Sequence, residues 1–110
     1  MSAVTYSLKR SDNKFEVSLH PEKSEAWFEY MNIDESNIPL FFLLLKNTVN
    51  DLISKNYKFA VQTVSTDDWD KFLKENKKWE IVSTNNVSTI IKCNLSDAIE
   101  CITKGFGIDK

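Results

Sequence analysis

Ile38-Pro39-Leu40-Phe41-Phe42-Leu43-Leu44-Leu45 opens a helix that is apolar on every side, and the run Lys46–Lys55 that follows is half polar. A helix apolar all round must be buried all round. With Val49 at the centre of the buried face and about 100° per residue, Ile38, Phe41, Phe42, Leu45, Leu52 and Ile53 form an ordinary core stripe. Leu40, Leu43 and Leu44 then fall on the far side, in line with Asn47, Asp51 and Ser54. That trio needs cover, from this chain or from a neighbour. Ser36 or Asn37 is placed to cap the helix, Pro39 is tolerated in its first turn, and Asn56 accepts the left-handed conformation that ends it.

Upstream of the helix, Val4, Tyr6 and Leu8 alternate with polar residues, as do Phe15, Val17 and Leu19, around the turn residues Ser11-Asp12-Asn13. Period-two patterns mark half-buried strands. Pairing Leu8 with Phe15, Tyr6 with Val17 and Val4 with Leu19 puts all six side chains on one face. Ala26–Met31 reads as a short third strand or an irregular covering segment.

Downstream, Tyr57, Phe59, Val61 and Thr63 alternate as a strand. Ser65-Thr66-Asp67-Asp68 starts a helix with a hydroxyl cap and acids in its first turn, and Trp69, Phe72 and Leu73 give it an apolar stripe. A second hairpin follows. An odd loop pairs Ile81 with Ile91 and Glu80 with Lys92, which leaves one clean apolar face; a two-residue Asn85-Asn86 turn would mix the faces. Asn94–Asp97 caps a last helix, with Leu95, Ile99, Ile102 and Phe106 on one face and Gly105 at its end. The expected fold is one compact α+β domain over residues 1–110. It is a mostly antiparallel sheet of about five strands, in the order ββ(β)αβαββα, packed with one long central helix and two shorter ones.

Composition narrows the function classes. A 110-residue chain with 42% apolar and 12% aromatic residues builds a core without staples, so Cys93 and Cys101 read as reduced core thiols. A net charge of −2 with both signs interleaved argues against a nucleic-acid binder; Lys9-Arg10 and Lys77-Lys78 are the only adjacent basic pairs. The longest apolar run is far short of a membrane span, no N-terminal leader pattern occurs, and the expected location is cytoplasmic or nuclear.

No catalytic constellation stands out. His20, the only histidine, precedes Pro21 in a turn and lacks a second metal ligand. Asp67 and Asp68 are explained by helix capping. Gly105-Phe106-Gly107 follows a helix instead of joining a strand to a helix N-terminus, so neither an acetyltransferase-type nor a Rossmann-type cofactor loop is present. No motif specific to a known family occurs, and no cofactor or metal is expected.

The resulting expectation is a non-catalytic interaction or self-assembly module that binds itself or another protein. Its contact surface would be Leu40, Leu43 and Leu44 with the aromatic segment Trp27, Phe28, Tyr30 and Met31. The alternative is a small ligand-binding or enzymatic domain with an aromatic-lined pocket, and a third, less favoured reading is an accessory nucleic-acid binder.

Overall fold

The computed structural model describes residues 2–8, 11–73 and 78–105, the side chains of 72–73 and 103–105 excepted. Six strands form one mixed sheet: β1 (Ser2–Ser7), β2 (Lys14–His20), β3 (Glu25–Asn32), β4 (Phe59–Ser65), β5 (Glu80–Thr84) and β6 (Ser88–Asn94). Helix α1 (Ile38–Ser54) joins β3 to β4. A short helix, α2 (Thr66–Asp68), runs on into a π-type turn at Trp69–Leu73, and α3 (Ala98–Gly105) follows β6. The sheet order is β1-β2-β3-β4-β6-β5. All neighbours are antiparallel except β3 and β4, the pair that α1 connects. The α+β class and the helix layout are those expected, with Ala26–Met31 resolved as the interior of a full strand.

The second hairpin has the expected register, Glu80 opposite Lys92 and Ile81 opposite Ile91. The first is offset: Tyr6 faces Phe15 and Val4 faces Val17. A two-residue slip keeps every side chain on its face. Its cause is Asn13, which is not a plain turn residue. Its side chain is buried, accepts from the Asp34 amide at 2.7 Å and donates to the Asn37 carbonyl. The β1–β2 loop is widened to reach the turn before α1.

Helix α1 lies on the sheet face that carries Phe15, Val17, Leu19, Ala26 and Phe28. Phe15 stands edge-on to both Phe28 and Phe41, at ring separations of 6.0 and 5.7 Å. The buried helix residues are Phe41, Leu44, Leu45, Thr48, Val49 and Leu52. That arc is rotated from the one centred on Val49. Leu44 is in the core, whereas Ile53, expected inside, is 44% exposed. The rotation arises because a hydroxyl, Thr48, occupies the middle of the stripe, so apolarity alone misplaces its centre. Ile91, Cys93, Leu95, Ala98, Cys101 and Ile102 extend the same core under α3; each large side chain fully buried there contributes roughly 1.5–3 kcal/mol. Asn56, with φ of 71°, ends the helix region in the left-handed conformation. Phe72, Leu73 and Phe106, expected on helix faces, have side chains outside the described residues. Among the described residues no helix is long and apolar enough to cross a membrane.

Candidate functional site

The parallel pair is where the sheet opens. Glu25, Ala26 and Trp27 pair with Phe59, Ala60 and Val61, and the ladder goes no further. Beyond it, β3 stays zipped to β2 out to Lys14 opposite Asn32, while β4 stays zipped to β6 out to Ser65 opposite Ser88. The two strands therefore part at their carboxyl ends. Part of the cause is in β3. Phe28 faces Val17 and Tyr30 faces Glu16, so Glu29 is an extra, bulged residue. A bulge bends its strand and leaves one residue unpaired.

The wedge is bounded by Phe28–Asn32 on one side and Gln62–Ser65 on the other, four or five residues of each strand, roughly 13–16 Å at about 3.3 Å per residue. Main-chain N–H and C=O groups line both rails, and such groups demand partners. Register places Phe28, Met31, Gln62 and Val64 on the helix-covered face and Tyr30 and Thr63 on the other. The Gln62 amide spans the gap and donates to the Met31 sulfur at 3.4 Å. That is a weak bond for a primary amide, because a thioether is a poor acceptor.

The paired end is built differently. Glu25 accepts from the Trp27 indole at 2.9 Å and lies 3.8 Å from Lys92, whose ammonium sits over the Phe59 ring. Val61, on this same face by register, is fully buried. His20 packs beside Trp27 at a ring separation of 5.2 Å. It also lines a surface depression of about 440 Å³ with Ser2, Leu19, Pro21 and Glu22.

The mouth of the wedge is acidic. From β3 the chain enters a 3-10 turn, Glu35–Asn37, capped by Asp34. The Asp34 carboxylate accepts from the Ser36 hydroxyl, the Asp12 amide and the Ser36 amide, which hold it below the usual carboxylate range. From β4 the chain enters α2, where Ser65 accepts from the Asp68 amide as its sequence implied, and Asp67 meets Lys71 at 3.1 Å.

Of the residues expected to form a contact surface, Phe28 and Leu44 are core, 4% and 3% exposed. Trp27 is half-buried at the paired end. Tyr30 is exposed, with the Lys14 ammonium 5.6 Å from its ring. Met31 lines the wedge. Leu40 is half-buried and Leu43 exposed. The structure thus gathers the aromatic segment on one strand and scatters the leucines. Gln62 and Glu29 were not anticipated. Gln62 had a signal, as the polar residue on the face it shares with Ala60 and Val64; the bulge at Glu29 had none.

Cys93 and Cys101 are free and buried together; contact with Cys101, with burial behind it, pushes the Cys93 thiol up. Among the described residues no group of metal-binding side chains occurs. Lys9, Arg10 and Lys77 lie outside the described residues, as does Gly107.

No protein-family profile and no curated protein matches the chain. Solved structures do. A PaiA N-acetyltransferase from Thermoplasma acidophilum, in complex with coenzyme A, superposes with a TM-score of 0.54 at 9% identity, over 74% of this chain and 52% of that one. A nourseothricin acetyltransferase gives 0.55 at 5% identity, over 76% and 57%. The chain spans about half the length of these proteins, and at such identity the likeness is one of fold. It corrects the expectation of a non-catalytic interaction module. The architecture is one that catalytic domains use, and the supposed contact residues Leu44 and Phe28 are inside this chain's own core.

Proposed function

We propose that this chain is a small ligand-binding domain that grips a slender, amide-bearing molecule in the wedge between β3 and β4. The observation that carries the reading is the parallel ladder that stops after three rungs while each strand remains held from its outer side. A fixed gap with hydrogen-bonding rails suits a chain that offers amide groups to both, as an added strand does at a sheet edge. The carboxyl ends of parallel strands are also where open sheets receive ligands. Tyr30 and Met31 supply the aromatic and thioether lining, and Gln62 supplies an adaptable donor.

Coenzyme A, present in one of the similar structures, combines such an amide arm with a polyanionic nucleotide. The arm fits the wedge. The phosphate end does not fit its mouth, where the Ser36 and Asp68 amides are already bonded within the chain and carboxylates stand alongside.

The test is titration of pantetheine into ¹⁵N-labelled protein. Amide shifts confined to residues 28–32 and 62–65 are expected, weakened by Gln62→Leu. A spectrum unchanged at several millimolar ligand overturns the reading. Acyl transfer is a second reading, favoured by the fold neighbours, both of them acetyltransferases, and by the exposed Glu29 carboxylate at the bulge. Amine-dependent thiol release from acetyl-pantetheine, lost in Glu29→Gln, is the result expected of it; release independent of added amine removes it.

A further inference from the structure

We infer that the mouth of the wedge selects a nucleotide-free ligand, pantetheine or a similarly uncharged amide chain, over coenzyme A. This rests on the binding site proposed above and adds the ligand class. Both strands leave the wedge into acidic turns. After β3 come Asp34 and Glu35, and after β4 come Asp67 and Asp68. Lys71, in ion-pair contact with Asp67, is the one cation that the described contacts place in either turn. A diphosphate is held at a strand-to-helix turn by free backbone N–H groups and by glycines that let it approach. Here no glycine is offered, and three of the turn amides are already engaged. The Ser36 amide is taken by the Asp34 carboxylate at 3.1 Å, the Asn37 amide by the Asp34 carbonyl at 2.9 Å, and the Asp68 amide by Ser65 at 3.0 Å. Pro39, in the first turn of α1, has no N–H to give. The segment 33–39 contains no glycine. The Asp34 carboxylate is held in this role by the Ser36 hydroxyl at 2.6 Å and the Asp12 amide at 3.4 Å, and Asn13 accepts the Asp34 amide proton.

The same acids leave a neutral arm undisturbed, because an uncharged chain ends before, or passes between, the turns. The discrimination is electrostatic and so depends on ionic strength. Isothermal titration of the intact chain with pantetheine and with coenzyme A separates the possibilities. Pantetheine is expected to bind at least about tenfold more tightly at low salt, the gap narrowing as salt rises. Glu35→Lys, at an exposed position whose backbone bonds are unaffected, is expected to tighten coenzyme A severalfold and leave pantetheine unchanged. Coenzyme A binding as tightly as pantetheine, or a Glu35→Lys variant that alters both alike, overturns this inference and leaves the wedge as a binding site. Failure of both ligands to bind overturns the site and the inference together.

Discussion

β3 and β4 are one pair of strands with two ends, and the ends are built on different principles. At the amino ends, three rungs of parallel ladder are sealed by the Trp27–Glu25–Lys92–Phe59 cluster and by the fully buried Val61. At the carboxyl ends the ladder is missing and one amide-to-thioether contact spans the gap. Yet the open end is not loose. β2 and β6 hold its two sides, and the Phe28–Phe15–Phe41 stack fixes the β3 side to the helix. Preorganisation of this sort lowers the ordering cost of binding. The difference teaches that a gap in a sheet is stable when its walls belong to other ladders.

The largest effect that can break this comparison is loss of the aromatic stack. Phe15→Ala is expected to cost about 3–5 kcal/mol, because Phe15 is fully buried between Phe28 and Phe41. A lower urea midpoint would measure it. A cost near zero would show that the β3 wall needs no anchor. Next comes the seal. Glu25→Ala orphans the Trp27 indole and the Lys92 ammonium, both partly buried, and is expected to cost about 1.5–3 kcal/mol. By contrast Gln62→Leu, at the open end, is expected to change stability by less than about 0.5 kcal/mol while weakening ligand binding. If Gln62→Leu destabilises as much as Glu25→Ala, the two ends are not functionally distinct.

The closed end was more legible in the sequence than the open one, for a physical reason. Alternation reports which residues face a core, so β1, β2 and β6 could be read directly, and pairing Ile81 with Ile91 and Glu80 with Lys92 gave the register of the second hairpin, although every residue of β5 is exposed. Capping chemistry marked Ser65 and Asn56. Alternation is silent where both faces of a strand are apolar. In β4 the alternation of Tyr57, Phe59, Val61 and Thr63 located the strand but not the face that meets the core, because Ala60 and Val64 make the other set as greasy, and the parallel partner of this strand lies more than thirty residues away. A wedge is a relation between two strands distant in sequence, and a bulge such as Glu29 leaves no mark in composition. The helix stripe was misplaced by one position because Thr48 is a polar residue in a buried place. It was this rotation that made Leu44 look exposed and suggested a contact surface.

The smallest effect sharpens the comparison from outside the wedge. Tyr6, on the edge strand β1, donates to Asp51 near the end of α1 at 2.7 Å. The bond ties helix to sheet far from the β3–β4 gap, so Tyr6→Phe is expected to cost about 0.5–1.5 kcal/mol at pH 7 with ligand binding intact. Its pH dependence has two limbs. The Tyr6 hydroxyl, and then Lys55, hold Asp51 below the usual carboxylate range. A depressed carboxylate stabilises above its unfolded pKa, and the contribution is lost as pH falls through the folded value. Burial, and then Asp51, push the Tyr6 hydroxyl up. A raised phenol stabilises below its unfolded pKa of about 10 and loses that contribution as pH climbs. The stability gap between the native chain and Tyr6→Phe is therefore expected to be widest between about pH 5 and 9 and to narrow at both extremes. Denaturant titrations across pH measure it, and a gap that stays constant from pH 3 to 8 would mean that the carboxylate charge plays no part in the tie. A gap of the expected shape, with unchanged affinity for the ligand, would separate what holds α1 on the sheet from what holds the wedge open.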